Sequence, residues 1–293
     1  MIVYTVWVSD TSVTVEGALE VVPLGDALGA EIRGVDLAGD LSDDLVAAIR
    51  RAWLDHLVVF FRDQELGPDE FLAFAQRIGE PVEYPFVRGM DGYPEIIAVT
   101  KLPDETVNFG GIWHSDTTYL ARPPMGTMLI AREVPPAGGD TLFASMYAAY
   151  ETLSPGMQRM LDGLSAVSTS ALADVSKTRE DRIRDNGNEA TESETFEAEH
   201  PVVRTHPESG RKALYINPAH TARFVDMTEA ESAPLLQFLF EHAVRPEHVY
   251  RFHWEVGSLA LWDNRCAWHN PINDYNGSTR RMHRITLAGD EPR

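Results

Sequence analysis

His114 and Asp116 flank Ser115, a third donor follows at His269, and two arginines stand at positions 280 and 284. Two imidazoles and one carboxylate form the donor set that binds ferrous iron on one face and leaves the opposite positions open for an oxidant and O2. If Trp113 to Thr117 is extended, His114 and Asp116 project to the same side while Trp113 and Ser115 point away. The same alternation puts Arg280, Met282 and Arg284 on one face, the arginine Cα atoms roughly 13 Å apart at ~3.3 Å per residue. One small carboxylate does not need both, so the pair suits two anions, or one anion and a surface role. A guanidinium fork binds a carboxylate bidentately and stays charged at any working pH. The plainer alternative is ion pairing with some of the 45 acidic residues.

Two further segments carry polar groups to the ends of apolar runs. Pro136-Ala137-Gly138-Gly139-Asp140-Thr141 is a turn that delivers a hydroxyl donor, or a plain loop. Trp262-Asp263-Asn264-Arg265 precedes His269 as if to orient a ligand and the groups behind it, or forms an Asx-type turn.

The elements that must position these residues are readable in part. Ser42 is an N-cap candidate ahead of Asp43 and Asp44, and Leu45, Ile49 and Trp53 recur at helical spacing before the β-type run Leu57 to Phe61. A second helix starts near Pro68, with Phe71, Phe74, Ala75 and Ile78 on its apolar side and Gly79 as the stop. Thr228 with Glu231 makes a capping-box pattern ahead of Leu235, Leu236, Phe238, Leu239 and His242, a stripe read as core. Short strands are expected at residues 96–100, 126–132, 202–205, 213–216, 249–254, 258–262 and 282–287. Residues 171–199 are polar and poor in large apolar groups, and are read as a disordered insert or a lid. Residues 1–20 are read as an N-terminal extension, and 21–293 as one domain.

Composition narrows the class. With 293 residues, 44% hydrophobic and 24% charged, the chain can bury a sizeable core. Its formal net charge of −20 repels phosphate backbones and anionic lipid heads, so neither nucleic acid nor membrane is an expected partner. A single cysteine, Cys266, excludes an intramolecular disulfide and a multi-cysteine zinc site. It fits a reducing compartment, where Fe(II) also survives best. The opening residues lack the basic region and long apolar stretch of a secretory signal, and no later run is long enough to span a bilayer, so the expected location is cytoplasmic.

Over about Val22 to Asp290 the chain resembles the taurine dioxygenase-like family of Fe(II)/2-oxoglutarate-dependent dioxygenases, which includes the 2,4-dichlorophenoxyacetate dioxygenases. The resemblance is carried by residues 29–37 (GAEIRGVDL), Val59-Phe60-Phe61-Arg62-Asp63-Gln64, Trp113-His114-Ser115-Asp116, Gly138-Gly139-Asp140-Thr141, Trp262-Asp263-Asn264-Arg265, His269 and Arg280 to Arg284. It implies a β-rich α+β fold, a double-stranded β-helix or jelly roll with helices outside. It also implies His114, Asp116 and His269 as the catalytic metal ligands, Thr141 and Arg280 as the pair that holds the distal carboxylate of 2-oxoglutarate, and Arg284 as the substrate-anion arginine. The implied reaction consumes Fe(II)-bound 2-oxoglutarate and O2, releases succinate and CO2, and hydroxylates a small organic anion. Retention of Asp116 favours hydroxylation over halogenation, because related halogenases resemble this pattern with the carboxylate replaced.

The chain departs from the taurine pattern at two places. Gly110 stands where an Asn is expected four residues before the first iron histidine, and a His expected ahead of Tyr84-Pro85 is missing, with Pro81 nearby. A different pocket is therefore expected, with Asn108 and Tyr84 as substrate-binding candidates and Phe86, Tyr119 and Arg122 as further wall candidates. The remaining histidines, including His206, His220 and His283, are read as structural. A homo-oligomer is a further expectation from the resemblance. A metal-dependent hydrolase or a noncatalytic cupin-like binding protein could use the same side chains.

Overall fold

A computed structural model describes residues 19–84, 87–172 and 195–293. The expected extension at 1–20 and insert at 171–199 fall mostly outside these residues, as does Phe86. In chain order come β1 (Glu20–Pro23), β2 (Ala30–Arg33), α1 (Asp43–His56), β3 (Val58–Phe61), α2 (Pro68–Ile78), β4 (Pro81–Val82), β5 (Ile96–Lys101), β6 (Gly126–Glu133) and β7 (Thr141–Ser145). They are followed by α3 (Met146–Glu151), α4 (Pro155–Leu161), β8 (Ser165–Thr169), β9 (Glu197–Pro201), β10 (Val203–Thr205), β11 (Lys212–Leu214) and β12 (Thr221–Phe224). The chain ends with α5 (Glu229–Ala243), β13 (Val249–Phe252), β14 (Leu259–Asp263), β15 (Ala267–Pro271) and β16 (Arg280–Leu287).

The major sheet runs β1-β2-β3-β14-β6-β16-β4, with β5 also paired to β16. A smaller sheet, β13-β7-β15, faces it, and β12-β8-β9 and the β10-β11 hairpin extend the fold. Strands β3, β6 and β14 at the centre of the major sheet are largely apolar because their alternating side chains are covered on both faces. Val58, Phe60, Leu129, Ala131, Ala260, Trp262 and Met282 pack toward the smaller sheet with Phe143, Phe252 and Trp268. Their neighbours Val59, Phe61, Met128, Ile130, Leu259, Leu261, Ile285 and Leu287 pack against Ile49 and Trp53 of α1 and Phe71 and Phe74 of α2. A sheet covered on both faces loses the polar half of the period-two pattern. Phe60 stacks on Phe252 with ring centroids 3.9 Å apart, joining the two sheets. These facing sheets, with helices outside, are the jelly-roll core.

The capped helices form as expected. The Ser42 side chain accepts from Leu45 N at 3.3 Å, Pro68 opens α2, Gly79 closes it, and the Thr228–Glu231 capping box is complete. Some expectations fail. Leu57, with φ +64°, caps α1 instead of opening β3, and Phe238 is 43% exposed on α5 instead of lying in its core stripe. β16 begins two residues earlier than expected, which brings Arg280 into the sheet. No helix among the described residues is long and apolar enough to cross a membrane.

Candidate active site

His114 and His269 are brought together by backbone pairing. His114 N donates to His269 O at 3.1 Å, His269 N donates to His114 O at 2.8 Å, and the ring centroids lie 4.1 Å apart. The segment after His114 is not a strand. The backbone turns from Asp116, and Thr117 takes φ +41°, yet the carboxylate still meets both imidazoles. Asp116 Oδ1 lies 3.7 Å from His114 Nε2 and 3.8 Å from His269 Nε2. All three residues are buried, and one ligand atom from each falls within a 4.8 Å cluster.

The protonation states suit a metal. His114 Nδ1 is 2.7 Å from the Ile112 carbonyl, which can only accept, so Nδ1 carries the proton and Nε2 offers its lone pair. Burial lowers the pKa of both imidazoles, most strongly that of His269, where His114 adds to the effect. Burial alone would raise the Asp116 carboxyl, but Arg284, His269, His114 and a hydrogen bond from Thr127 outweigh it and hold it well below the usual carboxylate range. Neutral imidazoles and an ionised carboxylate are the forms that ligate.

Behind Asp116 stands a fixed chain of donors. Thr127 Oγ1 donates to Asp116 Oδ2 at 2.6 Å, and Asn264 Nδ2 donates to Thr127 Oγ1 at 2.9 Å. Asn264 Oδ1 in turn accepts from Trp262 Nε1 at 3.0 Å and from Asp116 N at 3.3 Å. Within the Trp262 to Arg265 segment it is Asn264 that reaches Asp116, directly at its backbone N–H and through Thr127. Asp263 and Arg265 instead pair with each other, and Arg265 also pairs with Glu208.

Arg284 is 4% exposed. Its Nη2 sits 2.9 Å from Asp116 Oδ1, and its guanidinium lies 5.0 Å from the Tyr84 ring centroid. Met282 separates it from Arg280 on the same strand face. Arg280 is 6% exposed, and its Nε and Nη2 have no hydrogen-bond partner. Thr141, on β7, accepts from Trp254 Nε1 at 2.9 Å, and the Arg280 guanidinium is 5.7 Å from the Trp254 ring centroid. Trp254, which the sequence did not single out, therefore neighbours both residues. An indole N–H only donates, so the Thr141 hydroxyl keeps its own proton for another acceptor. Buried arginine donors without a partner cost about 1–3 kcal/mol each. A carboxylate supplies the acceptors they lack, so the 2-oxoglutarate end assigned to them fits.

Asn108 is buried, and its Nδ2 donates to Pro271 O at 2.9 Å, tying the loop before His114 to the end of β15. Gly110 has φ +73°, and a Cβ there would stand 2.9 Å from His114 Cε1. Its departure from the taurine pattern therefore belongs to the packing around that imidazole. Tyr119 is buried and meets the His220 ring edge-on at 4.9 Å, whereas Arg122 is exposed. The His220 ring centroid lies 6.2 Å from that of His114. His220 Nδ1 is 3.0 Å from Thr118 Oγ1, so this histidine borders the cluster as well as bracing the fold.

A second cluster, His206, Asp263 and Cys266, has comparable spacing but no free ligand atoms for a metal. His206 Nδ1 accepts from Glu208 N and Ser209 N, His206 Nε2 donates to Asp263, and Arg265 occupies both Asp263 oxygens. Burial pushes the Cys266 thiol well up, away from thiolate.

Residues 20–286 match the family described as taurine catabolism dioxygenase TauD, TfdA family. The chain belongs to this family. It is therefore a dioxygenase, an oxidoreductase. It is 36% identical over 281 residues, 94% of this chain and 91% of the relative, to an alpha-ketoglutarate-dependent sulfate ester dioxygenase of Pseudomonas putida. It is 34% identical over 291 residues, 92% of this chain and 97% of the relative, to the alpha-ketoglutarate-dependent 2,4-dichlorophenoxyacetate dioxygenase of Cupriavidus pinatubonensis. Among solved structures, a taurine dioxygenase from Burkholderia xenovorans superposes with TM-score 0.79 at 36% identity, covering 94% of this chain and 92% of that one. AAD-2 in complex with Mn(II) and N-oxalylglycine gives TM-score 0.79 at 26% identity, covering 94% and 99%.

Proposed function

We propose that this dioxygenase hydroxylates a small organic anion at an Fe(II) held by His114, Asp116 and His269. The observation that carries the reading is the buried convergence of two imidazole Nε2 atoms on Asp116 Oδ1. The enzyme uses 2-oxoglutarate and O2 and releases succinate and CO2. Bound Fe(II) with 2-oxoglutarate supplies the activation of O2 and the oxidation of a substrate C–H bond. Everything else falls to the chain's own groups. Thr127 and the Ile112 carbonyl fix which atoms of Asp116 and His114 face the metal. Thr141 and Arg280 receive the distal carboxylate of 2-oxoglutarate.

Arg284, with Tyr84 against it, receives the substrate anion, and Asn108 holds the adjoining loop. An organic sulfate is the first candidate, supported by the sulfate ester dioxygenase and by an alkylsulfatase of Acinetobacter baylyi that is 34% identical over 93% of this chain and 86% of its own length. Aryloxyalkanoates come second. A reducing cytoplasm suits Fe(II) and the lone buried thiol, and the net charge of −20 disfavours nucleic acid and anionic lipid.

Anaerobic addition of Fe(II) and 2-oxoglutarate tests the assignment. The parent develops the weak visible charge-transfer band of the chelate, and Asp116→Ala does not. Iron binding without that band in the parent overturns the reading. Succinate release then ranks alkyl sulfates against aryloxyalkanoates.

A further inference from the structure

Lys101 ends β5 directly opposite Arg280 in the β5–β16 register, so the two side chains share a face of the sheet. Lys101 is 2% exposed, and its Nζ has no hydrogen-bond partner. The Tyr275 ring centroid lies 4.3 Å from that Nζ. Tyr275 also borders Arg280, since a Cβ on Gly139 would stand 3.3 Å from both Arg280 Cδ and Tyr275 Cδ1.

Among the described residues no carboxylate pairs with either cation. Asp140, which bears electrostatically on Arg280, already accepts from His253 through Oδ1 and from Arg251 through Oδ2. Like charges directly opposite one another destabilise a sheet, and an unpaired buried ammonium is costly. Both costs are removed by an anion that binds between the two side chains.

We propose that Lys101 is a second cationic anchor for the distal carboxylate of 2-oxoglutarate, beside Arg280. This rests on the reading that Arg280 receives that carboxylate. A carboxylate offers about four lone-pair sites. The Arg280 fork takes two, the Thr141 hydroxyl one, and the Lys101 ammonium the last. Lysine suits the final place because it is a compact point charge with rotatable donors, whereas the guanidinium fixes the plane. The chemical consequence is discrimination. A 2-oxo acid that carries a distal carboxylate gains both cations, and a monocarboxylate of the same length buries them unpaired.

The test compares 2-oxoglutarate with 2-oxopentanoate, titrated anaerobically into the Fe(II)-loaded parent, Lys101→Met, Lys101→Gln and Arg280→Met, with the chelate band as readout. Lys101→Met and Lys101→Gln are expected to bind 2-oxoglutarate about 10- to 100-fold more weakly and 2-oxopentanoate within twofold of the parent. Without ligand, Lys101→Met melts at the same temperature as the parent or higher, and it gains less from 2-oxoglutarate. Unchanged 2-oxoglutarate affinity in both lysine variants, or equal loss for both acids, overturns the proposal. If Arg280→Met keeps the parent's preference for 2-oxoglutarate, the underlying reading of the carboxylate pocket fails instead.

Discussion

Thr127→Val replaces a hydroxyl by a methyl of nearly the same size and leaves two buried groups stranded. Thr127 is fully buried. It donates to Asp116 Oδ2 at 2.6 Å and accepts from Asn264 Nδ2 at 2.9 Å. A hydrogen bond to a charged group contributes about 1.5–3 kcal/mol, and about 1.4 kcal/mol is tenfold in affinity. Without the hydroxyl, Asp116 Oδ2 has no donor and only the Arg284 contact at Oδ1 remains to orient the carboxylate. Fe(II) should therefore bind Thr127→Val about 10- to 100-fold more weakly, as expected for loss of a partner that orients a ligand. Losing the donor also lets the Asp116 pKa rise, so the acid limb of metal binding moves to higher pH. Anaerobic Fe(II) titration against a competing chelator measures both effects, with Thr127→Ser as the control that restores affinity. Binding by Thr127→Val within twofold of the parent, with an unmoved acid limb, would refute the claim that Thr127 fixes Asp116.

Arg284→Ala should lower succinate release driven by anionic substrates about 10- to 100-fold in kcat/KM for loss of a buried charge-assisted pair, with the chelate band recorded alongside because Arg284 also touches Asp116; substrate-driven release equal to the parent's would remove Arg284 from the substrate site. Gly110→Ala forces a Cβ to 2.9 Å from His114 Cε1 at φ +73°, so Fe(II) affinity should fall about tenfold or more, and parent-like affinity would show that the ring yields freely. His283, which accepts from Arg132 Nε at 3.2 Å, is pushed down to about 4 by burial and by Arg132 and Arg281. The unfolded chain takes up that proton near 6.5 and the folded chain only near 4, so stability falls as pH drops through this window. The unfolding midpoint of His283→Asn should decline less steeply between these values than the parent's, and parallel slopes would dismiss the effect.

What the sequence made legible followed from how local each signal is. Ser42 and the Thr228–Glu231 pair act within one helical turn, so the helix starts could be read directly. The candidate metal donors were legible as chemistry, although the expected strand through Asp116 is a turn. Their convergence depends on the pairing of His114 with His269, which are far apart in sequence. β15 and β7 escaped because five-residue strands such as AWHNP, enclosed by the fold, show no alternation. His220 and Trp254 carry no local mark at all; tertiary packing brings one beside His114 and the other onto Thr141. Lys101 did leave a trace, a charge closing the apolar run from Ile96. Only the register with Arg280 gives it meaning.

A chain of formal net charge −20 that captures anions is contradictory only if charge acts at long range. Surface charges more than about 8 Å apart are largely screened at physiological ionic strength. Arg280, Arg284 and Lys101 are buried and act at contact distance, where screening is weak. The buried acids nearby are already committed: Asp116 to Arg284, Asp140 to Arg251 and His253, and Asp263 to Arg265 and His206. The uncompensated charge in this part of the interior is therefore positive, whatever the surface carries. It lies where Arg280 on β16 stands opposite Lys101 on β5, while Arg284, four residues along β16, is set against Asp116. The two-residue repeat of β16 thereby sets two cations on one face, as the proposed pair of anion sites requires, and the pairing with β5 sets Lys101 opposite the first of them.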